Sequence, residues 1–137
     1  MAAGAIGDRV YVAGGRFGGG FSSEFTGVLE IFDTTAGTWS TGAPMPTPRS
    51  GNNGIAVGDC LYTWGGEFSG GVFEENEVYH APTDAWRALA PMSTPIHGVV
   101  GAGYLDGLIY APGGGTERGG SSGSTWHLVF ATAGTCP

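Results

Sequence analysis

The residue types of this 137-residue chain that could carry chemistry are its three histidines, its two cysteines and the glycines and serines of its loops. Glycine-rich backbone can cradle a phosphate when a helix follows, but no G-x-G-x-x-G closes here. After Gly101-x-Gly103 the third glycine position holds Asp106, and after Gly113-x-Gly115 it holds Arg118. Serines are plentiful, but no hydrolytic triad is read from them. The chain has no lysine, which removes Schiff-base chemistry and a Walker-type phosphate loop. Arg9, Arg16, Arg49, Arg87 and Arg118 are scattered, and the net charge is −7. Phosphate backbones need clustered cations, so nucleic acid is not an expected partner. The apolar stretches are short and broken by glycine, so no membrane span is expected either.

The elements that must position these residues are short strands. Residues 8–15 read DRVYVAGG, in which Val10, Tyr11 and Val12 favour a pleated, half-buried surface and the glycine pair marks a backbone shape that other residues resist. The same phrase returns as DCLYTWGG at 59–66 and DGLIYAPGG at 106–114, with Tyr11, Tyr62 and Tyr110 spaced by 51 and 48 residues. EIFDTTAGTW (30–39) aligns with EVYHAPTDAW (77–86), and GAPMPTPRSG (42–51) with LAPMSTPIHG (89–98). A repeat of about fifty residues is the mark of a supersecondary unit that buries its apolar face only by stacking. In the second unit the strand signals come four times, at Ile55–Val57, Leu61–Trp64, Glu77–Tyr79 and Trp86–Ala90, each bounded by turn chemistry.

These columns resemble the kelch repeat: the glycine pair after an aliphatic-Tyr strand, the aromatic-x6-Trp element at Phe32 to Trp39 and Tyr79 to Trp86, and Pro-Met-x-x-Pro as in Pro44, Met45 and Pro48. The third copy departs from the pattern. It places Cys136 in the tryptophan column, His127 in that of Glu30 and Glu77, and Phe130 in that of Asp33. The resemblance implies an all-β kelch-type β-propeller segment of about three four-stranded antiparallel blades in an incomplete ring. The repeats would run over about 1–46, 47–94 and 95–137, the third lacking its fourth strand. It also implies that the glycine pairs end second strands against a neighbouring blade, and that Tyr11, Tyr62, Tyr110, Trp39 and Trp86 pack in the core.

Some kelch-like propellers are copper enzymes, using two histidines and two tyrosines that converge on the axis, one tyrosine being cross-linked to cysteine. His80, His97 and His127 do not map onto that set, and Cys60 and Tyr62 share one strand face rather than forming a cage between elements. No catalytic, cofactor-binding or metal-binding residue is therefore expected. Cys60, in a strand of the second unit, and Cys136, near the end of the third, are read as free thiols, Cys136 as a small buried hydrophobe. The amino terminus lacks the basic and apolar regions of a secretory signal.

What remains are the loops between second and third strands, 16–27, 67–75 and 115–124. Strands alternate direction, so these loops share one end with the connections between units. That end is expected to gather Arg16, Phe17, Phe21, Glu24, Phe25, Arg49, Glu67, Phe68, Phe73, Glu74, His97, Glu117 and Arg118 as a partner-binding surface. The expected function is a non-catalytic protein-interaction or ligand-binding module. The alternative is part of a propeller enzyme resembling sugar oxidases or sialic-acid mutarotases, whose catalytic groups come from several blades. Because propellers need about four to eight blades, three units should pair with further kelch blades or with a second copy. A piece of a six-bladed protein is favoured, its missing outer strand coming from sequence ahead of residue 1, because paired copies would still lack an outer strand at each junction.

Overall fold

A computed structural model describes residues 1–18, 24–99, 101–119 and 127–137. Among the described residues the chain is all-β, apart from a 3-10 turn at Ala81–Thr83. The first sheet has the order β1 (Ala2–Ile6), β2 (Arg9–Phe17), β3 (Glu24–Asp33), β4 (Thr38–Gly42), each antiparallel to the next. β5 (Asn53–Val57) and β6 (Cys60–Trp64) open the second sheet. β7 (Glu67–Phe68) and β8 (Gly71–Val72) form a small hairpin outside it, and β9 (Asn76–His80) and β10 (Ala85–Ala88) complete it. The third sheet consists of β11 (Gly103–Leu105), β12 (Leu108–Pro112) and β13 (His127–Ala131). Among the described residues the sheets do not close into a barrel, and their arrangement is consistent with the partial propeller that the resemblance implied.

The core lies between sheets rather than within one. Tyr11, Ala13, Leu29 and Met45 of the first unit close on Leu61 and Tyr79 of the second. Tyr62, Trp64, Val78, Met92 and Ile96 of the second close on Ile109 and Ala111 of the third. The two faces of each strand therefore serve different neighbours, which follows from the period of two along a strand. The first strands run side by side because they are built from small residues: a Cβ at Gly54 would stand 2.7 Å from the Cβ of Ala2.

The glycine pairs are explained by the connections between sheets, which run across them. Gly15 N–H donates to Arg49 O (2.9 Å) and Gly66 N–H to Ile96 O (3.0 Å), the same bond one unit apart. At Gly66, φ is +115° and a Cβ would come within 2.7 Å of Ser50 O, so no side chain fits there. On the far side of each connection the next unit pairs with it, Ser50 with Glu67 and His97 with Gly115. The pairs thus let one backbone pass between two neighbours. Only β6 and β12 end at them; β2 continues to Phe17 through an irregularity between Ala13 and Gly15.

Three expectations are corrected. Trp39 is not buried: it lies on the outer strand β4, 60% exposed, with its ring 5.0 Å from Phe32. Its counterpart Trp86 is half-buried because it packs on the preceding sheet, where Nε1 donates to Ala43 O (2.8 Å); among the described residues no sheet covers that side of the first. Tyr110 is partly exposed for the mirror reason, since it faces away from the second sheet. The cysteines are not free thiols but a disulfide, with 2.09 Å between sulfurs and 6.0 Å between Cα atoms. Cys60 is the first residue of β6, and the turn after β13 carries Cys136 back onto it. Thr135 Oγ1 lies 2.8 Å from the Tyr62 hydroxyl, and Arg87 donates to Thr135 O, so the same segment is tied at three points.

Candidate functional site

The described parts of the loops between second and third strands are in contact with the inter-sheet connections. Arg16, near the end of β2, reaches across to the second unit, where its guanidinium lies 3.3 Å from Glu67 Oε1 at the start of β7. Glu67 Oε2 faces His97 Nδ1 at 3.6 Å, on the connection to the third unit. His97 Nε2 lies 2.8 Å from Glu117 O, and Arg118 donates to Ser69 O at 2.9 Å, on the tip of the β7–β8 hairpin. Side chains and backbone from all three units are thereby linked in one chain of contacts. The Arg16–Glu67 pair, whose guanidinium is about half-exposed, is of the kind that contributes little stability singly, about 0–1 kcal/mol.

The aromatic members divide. Phe68 and Phe73 close the β7–β8 hairpin on itself, with ring centroids 4.7 Å apart, and both are half-buried. Phe17 stands 66% exposed beside Glu24, its register partner on β3, while Phe25 opposite Arg16 is half-buried. Phe21 lies outside the described residues. Glu74 and Glu117 are exposed.

Arg49 is the expected surface residue that the structure places elsewhere. It is 0% exposed, with NH1 2.6 Å from Glu77 Oε2 and NH2 donating to Thr63 Oγ1 at 3.0 Å. Thr47 Oγ1 donates to the other Glu77 oxygen at 2.8 Å. Burial pushes the guanidinium below its ordinary range, and the Glu77 carboxylate opposes that shift. The pair joins the first inter-sheet connection to β9 from beneath the loops.

At the opposite end, where β1 turns into β2 and β3 into β4, lies a cleft of about 450 Å3 lined in part by Asp8, Arg9, Asp33, Asp59 and Pro82. Its polar groups are already engaged: Arg9 Nε lies 3.3 Å from Asp33 Oδ2, and Asp33 Oδ1 accepts from Thr35 and Ala36 N–H at 3.0 and 2.9 Å. The Ala36 N–H holds the Asp33 carboxyl below the usual carboxylate range, with help from Arg9. Asp84, in the turn before β10, is lowered in the same way by the N–H of Ala43 (2.7 Å) and then by the Tyr79 hydroxyl (2.8 Å). Burial, then the Asp84 contact, drives the Tyr79 hydroxyl up.

Among the described residues no group of three or more His, Cys, Asp or Glu is placed to hold a metal ion, and no helix is long and apolar enough to cross a membrane. The ring partners of His97 are a carboxylate and a carbonyl, both acceptors. Nucleophilic catalysis would require a hydroxyl or thiol in that position.

Comparison with known proteins agrees with the repeat reading. The family model described as Kelch motif matches residues 1–46. The chain is similar to Kelch-like protein 25 of Homo sapiens, 39% identical over 74 residues, which make up 53% of this chain and 12% of that protein. It is similar to Kelch-like protein 25 of Rattus norvegicus at 38% over 74 residues, with the same shares. The protein of that name in Xenopus tropicalis is 39% identical over 70 residues, 50% of this chain and 11% of the relative. The matched stretch is thus about an eighth of the length of these relatives.

Proposed function

Taking the chain as a kelch-repeat protein, we propose that it is a non-catalytic interaction module whose partner is a protein segment lying across the loop end. The observation that carries this reading is the linkage of three successive units through Arg16, Glu67, His97 and Glu117. Loops held to one another present a surface that loses little freedom on binding, and preorganisation of this kind raises affinity. An exposed aromatic among such loops is an anchor for a partner side chain, and Phe17 is in that position. Glu24, its register partner, is an exposed carboxylate, as are Glu74 and Glu117 in the corresponding loops of the second and third units. The partner segment is therefore one that offers basic side chains next to apolar ones.

Selection from a displayed random peptide library against the immobilised chain tests this. Enriched peptides should combine Arg or Lys with an apolar residue, and their binding should protect backbone amides at 16–18, 67–75 and 115–119 from hydrogen exchange. Protection concentrated at the turns around Asp8, Asp59 and Asp106 would overturn the reading. Substrate turnover or stoichiometric metal in the purified chain would favour the enzyme alternative.

A further inference from the structure

His97 stands where the second inter-sheet connection meets the third unit, and backbone bonds hold the chain there. Its N–H donates to Gly115 O (3.0 Å), its carbonyl accepts from Gly115 N–H (2.9 Å), and Gly98 N–H donates to Gly51 O (2.8 Å). On that fixed backbone the ring lies between two oxygens. Nδ1 is 3.6 Å from Glu67 Oε2 on β7, and Nε2 is 2.8 Å from Glu117 O in the third unit. A carboxylate and a carbonyl can only accept, whereas a neutral imidazole has one N–H and one bare lone pair. Whichever nitrogen carries the single proton, the other sets its lone pair against an oxygen. The imidazolium has two N–H groups and satisfies both oxygens at once, its contact with Glu67 becoming an ion pair. The side chains of His97 and Glu67 are only 11% and 16% exposed, so solvent and salt screen that pair less than one at open surface.

The other charged groups around the ring leave this preference in place. Arg16 engages the second Glu67 oxygen at 3.3 Å, so one carboxylate serves both cations. Glu74 and Glu75 add negative charge after the β7–β8 hairpin. In the third unit Glu117 carries an exposed carboxylate, and Arg118 donates to Ser69 O. Arg49, on the first connection, is buried against Glu77. We propose that His97 is a proton-operated latch: protonated, it ties the 115–118 segment of the third unit to β7 of the second, and loss of that proton releases the tie. Histidine ordinarily changes charge between about pH 5 and 8. The latch therefore closes toward the acid side of that range and opens toward the alkaline side. For the function proposed above, the closed latch presents the preorganised surface; that consequence rests on the interaction reading, whereas the latch itself is measurable on the free chain.

Amide hydrogen exchange of the free chain at about pH 5.5 and about pH 8, each corrected for the intrinsic rate at that pH, reads the outcome. The reporting amides are those of residues 97 and 115, which bridge the connection and the third unit. Their protection should be about fivefold or more greater at the lower pH, the order of a contact with a charged group, while the amides of β6 keep theirs. His97→Gln should remove this pH dependence. Glu67→Gln should flatten it, because the new amide N–H can donate to Nδ1 of the neutral ring. Both residues lie outside the two core clusters, so melting at about pH 8 should stay in place. His80→Gln, whose ring meets Thr83 at the turn end, should leave the pH dependence as it was. Equal protection at both pH values in the parent chain would overturn the proposal. So would a pH dependence that persists in His97→Gln, or one that β6 shares equally. A chain that binds no selected peptide yet keeps the pH dependence at residues 97 and 115 would overturn the interaction reading and support the latch.

Discussion

At the turn end, carboxylates are taken up by backbone: Asp33 caps its own turn, and Asp84 accepts from Ala43 N–H and the Tyr79 hydroxyl across the first junction. The same end carries the Cys60–Cys136 bond across the second junction. At the loop end side chains instead meet one another, Arg16 with Glu67 and Glu67 with His97, and the Arg16 guanidinium reaches water. Backbone caps and a disulfide hold one geometry, whereas exposed ion pairs are weak and screened by salt. On the proposed function, the contrast separates a fastening end from an end whose side chains exchange one another for a partner, with the buried Arg49–Glu77 pair as the floor beneath the latter.

The largest expected effect comes from that floor. Glu77→Ala leaves a buried guanidinium without its counter-charge and should cost about 3–5 kcal/mol in urea unfolding. Replacing both partners by apolar residues of similar volume should cost much less, because the desolvation penalty disappears with the charges. If Glu77→Ala proved neutral, the loop end would have no buried support. Next in size is the disulfide. Cys136→Ala, or treatment with a small thiol reductant, should cost about 2–5 kcal/mol. Hydrogen exchange should then rise first at 127–137, the segment fastened at the turn end. Uniform loosening of all three sheets would contradict the division between the ends.

Smaller still is the acid response. Contacts in the folded state hold Asp33 and Asp84 below their ordinary value of 3.8. Their stabilisation is therefore complete above the unfolded value and fades as pH falls through the lower folded values. The melting temperature should drop below about pH 4, and Asp33→Asn with Asp84→Asn should flatten that drop. An unchanged acid limb in the double variant would show that these caps are not what the turn end relies on.

Much of this was legible in the sequence because its signals are local. Val-Tyr runs, Gly-Asp turns and Pro-rich connections mark strand ends directly, and strand alternation alone places Arg16, Glu67 and Glu117 at one end of the sheets. What the sequence hides is long-range pairing of side chains. Arg49 reads as a loop cation but finds Glu77 beneath the surface, and Cys136 reads as a small hydrophobe because the repeat puts tryptophan in its column. A separation of 76 residues says nothing about whether two Cβ atoms meet. Trp39 shows the reverse error: the column implies burial, but burial depends on a neighbouring sheet that the column cannot supply.

The claim that recognition belongs to the loop end is tested most directly by comparing two triple variants for binding of one library-selected peptide, measured by titration calorimetry. Phe17→Ala, Glu74→Ala and Glu117→Ala together should weaken binding at least about tenfold, as loss of an anchor with its flanking charges does, with little change in melting temperature. Asp8→Ala, Asp59→Ala and Asp106→Ala together, at the opposite end, should leave the affinity within about twofold, since distant surface positions act independently. The reverse result, binding lost with the turn-end variant and kept with the loop-end variant, would contradict the account.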